Sequence, residues 1–146
     1  MVAKRIGHLL RPRRVAHAHC DLPCGVYDPA QATIEAQSIK AIQERYAAPD
    51  KFKKPTETAE SYQARCLVIK EARADMVKEH LWILWTDYFK PEHLEKHPTL
   101  HDVFWKATKE AGEAKKSQDP AQGQKLLDLI AEIDGIFWDT KGGKPA

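Results

Sequence analysis

Between Thr58 and Pro91 the chain carries a seam of Tyr62, Cys66, Ile69, Arg73, Met76, His80 and Ile83, spaced alternately by four and three. That spacing marks the inner stripe of a long helix packed against others. It predicts a helix from about Thr58 to Phe89, stopped by Pro91. The last third is apolar almost all round (Leu81, Trp82, Ile83, Leu84, Trp85, Tyr88, Phe89), more than one seam can cover. An exposed cluster of Trp82, Trp85 and Phe89 at a subunit interface is the expected use of the surplus.

Other helices announce themselves by their ends. Asp28-Pro29 and Asp119-Pro120 each set an acceptor before a proline at the first helical position, where a missing N–H costs nothing. The first of these helices should run from Pro29 to about Ala47, with Ile34, Ala41, Ile42 and Tyr46 among its buried candidates, followed by a polar loop over 48–57. Another begins near Pro98 and carries Leu100, Val103, Phe104, Ala107 and Ala111. The last begins at Asp119-Pro120, carries Leu127, Ile130, Ile133, Ile136, Phe137 and Trp138, and ends at Gly142 and Gly143. No stretch alternates with period two, so the expectation is all-α: an antiparallel up-and-down four-helix bundle.

At 146 residues and 42% apolar residues, one core suffices without disulfides. A net charge of +2 gives no reason to expect nucleic acid or membrane as a partner. Cys20, Cys24 and the distant Cys66 do not resemble a secreted disulfide framework, and a reducing cytoplasm is the expected compartment. Residues 1–18 carry Lys4, Arg5, Arg11, Arg13 and Arg14 and no acid. They lack the apolar stretch of an export signal, although Ala16-His17-Ala18 resembles a cleavage site. A removable leader is expected; a basic tail that stays attached is the alternative.

Chemistry concentrates in His19-Cys20-Asp21-Leu22-Pro23-Cys24-Gly25-Val26-Tyr27. Imidazole and thiolates bind late first-row metals, and Pro23 and Gly25 favour a tight reversal that brings the thiols together. Three side-chain ligands fall short of a closed zinc site. Cleavage after Ala18 would close the count. The His19 amine, the Cys20 amide nitrogen and both thiolates would form a planar set with the His19 imidazole axial, a geometry that suits nickel or copper. Separately, Arg73 at a seam position requires a carboxylate, with Glu35 the plausible partner, the alternative being that it sits at the edge of the seam and reaches solvent.

The run HCDLPCGVYDPAQ closely resembles the start of mature nickel superoxide dismutases, and the similarity continues through IEAQSIKAIQE, VIKEAR, LWTDYFKP, SQDPAQGQK and IDGIFW. It lapses chiefly over residues 47–60. The resemblance implies a homohexamer of four-helix bundles, each subunit holding a single nickel ion that cycles between Ni(II) and Ni(III) and turns superoxide into dioxygen and hydrogen peroxide. It implies a propeptide at 1–18 removed by a maturation protease, a nickel hook at 19–27 and a bundle domain at 28–146. By matched position, His19, Cys20 and Cys24 are the implied metal ligands, and Glu35 and Arg73 the pair that orients the imidazole. Tyr27 and Tyr88 would stand over the open face of the metal, Asp21 and Pro23 would shape the hook, and Lys90 would attract the anion. Two readings compete: a nickel or copper carrier or sensor that uses the same hook without redox cycling, and a helical assembly protein with a Cys20–Cys24 disulfide. Cys66 is expected to pack as a small apolar residue, and His80, His93, His97 and His101 share no spacing that suggests a second metal site.

Overall fold

A computed structural model describes residues 25–144. Helix α1 spans Ala30–Ala47, and the Asp28 carboxylate accepts a 2.7 Å hydrogen bond from the Ala30 N–H at its start. Helix α2 spans Ala59–Ile83 and is capped by the Thr58 hydroxyl, which accepts from Ser61 N–H. A short helix α3 covers Pro91–Lys96; the sequence pattern left this segment in a connection. Helices α4 (Leu100–Lys116) and α5 (Pro120–Thr140) complete the chain. Asp119 caps α5 through the Ala121 N–H at 2.9 Å. Beyond Thr140, Gly142 and Gly143 take positive φ, and their amides bond back to Asp139 and Trp138, which closes the last turn as a Schellman motif. The four long helices form a ring in which α1 and α4 each pack on both α2 and α5. No described helix is long and apolar enough to cross a membrane.

The core runs along the ring axis, through Ala32, Ala36 and Ile39 of α1, Ala74, Val77 and Leu81 of α2, Phe104 and Ala107 of α4, and Ile130, Ile133 and Phe137 of α5. On α1 the buried face is Ala32, Glu35, Ala36, Ile39 and Gln43. The expected positions Ala41, Ile42 and Tyr46 lie at its edge and Ile34 outside it. Small residues win there because they let α1 approach its neighbours closely, and the Glu35 carboxylate and the Gln43 amide nitrogen both find partners. On α2 Cys66 faces inward as expected, but beyond it the stripe moves by one residue. Cys66, Lys70, Ala74, Val77, Leu81 and then Leu84 face inward, Ile69 is exposed, and Arg73, Met76 and His80 flank the seam. Cys66 is buried as expected, and burial pushes its thiol above the usual range.

Lys70, 1% exposed, displaces the phase because its ammonium has an acceptor inside: the Ser117 carbonyl at the C-terminus of α4. Burial pulls its pKa down, while the free carbonyls of a helix C-terminus favour a cation there. The Gln43 amide donates to the same carbonyl at 3.1 Å. Gln43 can reach it only because residue 123 is glycine. A Cβ at Gly123 would stand 2.5 Å from Gln43 Oε1 and 2.8 Å from Lys40 Cα. Around a Cβ at Gly135 there is open space. Gly123→Ala should therefore lower unfolding stability by roughly 1–3 kcal/mol. Gly135→Ala should raise it by about 0.5–1 kcal/mol. Urea titration of the two variants side by side checks the contrast.

Candidate metal centre

His19, Cys20, Asp21, Pro23 and Cys24 lie outside the described residues. The structure describes the point where the chain leaves them. Gly25 takes φ +71°, a left-handed conformation that glycine adopts without steric cost. Tyr27 then packs against the core just before α1.

Tyr27 meets Tyr88, with ring centroids 5.6 Å apart and planes tilted by 52°. Tyr88 owes its position to the way α2 ends. Lys90 precedes a proline and is extended at φ −127°, so the helix must stop short of it. Leu84–Tyr88 instead form a π-type turn, in which Phe89 N–H reaches back to the Leu84 carbonyl at 3.1 Å. Such turns widen the helix by one residue and recur at functional sites. The Tyr88 ring rests 4.5 Å from that of Phe137, meets Phe89 edge-on and stacks on His93 of α3. Its hydroxyl lies 2.6 Å from Thr140 Oγ1. The Lys141 ammonium stands 4.8 Å from the Phe137 ring and 5.5 Å from that of Tyr88.

The same turn corrects the expected exposed cluster. Trp82 is 49% exposed, but Trp85 stacks on Phe104 and donates to His101 Nδ1 at 2.7 Å. Phe89 packs edge-on against Phe104. Most of the apolar surplus is used inside the bundle.

Glu35 and Arg73 pair as expected, with Arg73 Nη1 2.9 Å from Glu35 Oε2. Glu35 is 2% exposed, and its other oxygen accepts from the Gln31 amide at 2.8 Å. The Arg73 side chain is 40% exposed, so it reaches the carboxylate from the rim of the seam. The pair thus has one buried and one wet partner, which limits the cost of desolvation. Lys90 is exposed. Gln31, His93, Thr140 and Lys141 were not among the residues expected to surround these groups.

The sequence profile of the nickel-containing superoxide dismutases matches residues 14–141. The chain belongs to that family. It is accordingly an oxidoreductase of superoxide with nickel as cofactor. It is similar to superoxide dismutase [Ni] of Streptomyces seoulensis, 54% identical across 93% of this chain and 98% of the relative. The protein of that name in Streptomyces coelicolor is 52% identical over the same shares. A native nickel superoxide dismutase structure superposes with a TM-score of 0.75 at 56% identity, covering 84% of this chain and 99% of its own. A structure with nickel ligation of the oxidised state gives 0.77 at 57% identity, covering 86% of this chain and 100% of its own. These neighbours bear out the all-helical fold.

Arg73→Ala would strand the Glu35 carboxylate in the interior with the Gln31 amide alone. Stability in urea at neutral pH should fall by roughly 2 kcal/mol, less than a fully buried pair would lose because the guanidinium is already half wet. A second expectation concerns acid. The Asp139 carboxyl is held below the usual range by hydrogen bonds from Lys96 and then His97, a contact that ties α3 to α5 beside Thr140. A depressed carboxylate contributes fully above its ordinary pKa of about 3.9, and the contribution is lost as pH falls through the folded value. Asp139→Asn should lower Tm near neutrality and flatten its decline between about pH 5 and pH 3, as thermal melts across that range will show.

Proposed function

We propose that the mature enzyme begins at His19, after a protease removes residues 1–18, and that residues 19–27 form the nickel hook of the bundle at 28–146. Among the described residues no group of three His, Cys, Asp or Glu side chains could hold a metal. The matched run HCDLPC supports a donor set of His19, through its amine and imidazole, Cys20, through its amide nitrogen and thiolate, and the Cys24 thiolate. This mixture fits nickel, since thiolate and amide donors push electron density onto the metal and make its higher oxidation state accessible. Nickel bound there supplies one-electron exchange between Ni(II) and Ni(III), so that two superoxide ions and two protons give dioxygen and hydrogen peroxide.

The protein's own groups have separable tasks. Glu35, fixed by Arg73 and Gln31, is a rigid acceptor suited to orienting the His19 imidazole, as outer partners do for metal-bound histidines. Tyr27 and Tyr88 provide an aromatic wall whose hydroxyl oxygens order water near the metal. Asp21 and Pro23 shape the hook, and the exposed Lys90 adds positive potential that attracts superoxide. The observation that carries the reading is the Tyr27–Tyr88 contact, formed where the chain leaves the hook. Exposed Val26, Ile34, Val68, Ile69 and Trp105 supply apolar surface for the homohexamer, and the two hook thiols suit a reducing cytoplasm.

Superoxide decay measured by stopped flow, on nickel-loaded protein beginning at His19 and on the full-length chain, tests this. Fast decay only for the His19 form is expected. An active extended chain would overturn the role of the amine. Nickel bound with no decay in either form would favour a carrier or sensor.

A further inference from the structure

Tyr88 and Thr140 approach to 2.6 Å, a contact in which either oxygen could hold the hydrogen. A second contact decides the direction. Thr140 Oγ1 also lies 2.6 Å from the Phe137 carbonyl oxygen, and a carbonyl has no hydrogen to give. Were the single Thr140 hydrogen turned toward Tyr88, two lone-pair-bearing oxygens would face each other at 2.6 Å with nothing between them. The Thr140 hydrogen must therefore lie on the Phe137 carbonyl. That carbonyl is in the last turn of α5, where helical acceptors lose their partners. The Lys141 amide, which a continuing helix would send to Phe137, goes to Trp138 instead. Thr140 thus serves an acceptor that the end of the helix leaves open, a common use of a threonine hydroxyl.

With that hydrogen committed, Thr140 can only accept from Tyr88. We propose that Thr140 is a positioning residue that ties the Tyr88 phenolic proton to α5, so that Tyr88 meets whatever lies before it as a hydrogen-bond acceptor and not as a proton donor. This rests on the reading of Tyr88 as a wall of the nickel site. In that setting Tyr88 would hold species bearing O–H, water or the product hydrogen peroxide. The two protons consumed in each cycle would come from elsewhere, since Tyr88 spends its own on Thr140. The aromatic packing on Tyr88 from Phe137, Phe89 and His93 fixes the ring against turning its hydroxyl away.

The test is the ultraviolet resonance Raman Fermi doublet of Tyr88, obtained from the full-length, metal-free protein as the difference between wild type and Tyr88→Phe. A phenol that donates strongly shows the lower-frequency member dominant, whereas one that only accepts shows the upper. A donor-type doublet is expected in wild type and in Thr140→Ser, with the intensity ratio reversed in Thr140→Val. An acceptor-type doublet in wild type, or one unchanged in Thr140→Val, would overturn the proposal. The wild-type spectrum decides by itself if the valine variant does not fold. Failure of the enzymatic reading is seen separately, as absence of superoxide decay in the wild-type His19 form.

Discussion

A proline at residue 91 and an apolar run that reaches Phe89 make incompatible demands on the end of α2. The residue before proline is driven to extended backbone, while Leu84, Trp85, Tyr88 and Phe89 all need cover. The π-type turn at Leu84–Tyr88 reconciles them by slipping the helix one residue before it stops. Leu84 thereby enters the core, Trp85 lies on Phe104, and Tyr88 is delivered to Tyr27, Phe137 and Thr140. The lead-in to α1, the end of α2, helix α3 and the end of α5 all converge on this one side chain.

Polar groups in the bundle follow a different logic. Glu35, Gln43 and Lys70 are buried, and each is tolerated because a partner stands on another helix or at a helix end. Glu35 is met by Arg73 from α2. Lys70 and Gln43 share the carbonyl of Ser117. These contacts fix how far α1, α2 and α4 can slide past one another, which apolar packing alone leaves soft. Gly123 completes the set by letting α5 lie directly on Lys40 and Gln43.

Features carried by neighbouring residues were legible in the sequence. The caps at Asp28 and Asp119 and the glycine stop at 142–143 depend on a few adjacent residues, and they stand where the sequence put them. The Glu35–Arg73 pair was legible for another reason: a guanidinium near a core stripe requires a carboxylate. The phase of α2 was not legible, because Val68, Ile69 and Trp82 face outward and a lysine faces inward. A periodicity argument weighs hydrophobicity and cannot know that Ser117 offers an acceptor from a distant helix. Likewise Thr140 meets Tyr88 across 52 residues, and no local pattern marks such a contact. Helix α3 is too short for its period to register.

Every side chain of the described apolar core lies at or beyond Ala32. Tyr27 joins it only from the edge, in contrast to small metalloproteins in which binding an ion is itself the folding step. The described helices therefore close a core of their own. On the proposed assignment of the nickel to residues 19–27, loss of the ion would leave this core in place, and wear on the Cys20 and Cys24 thiols would be confined to a short terminal segment.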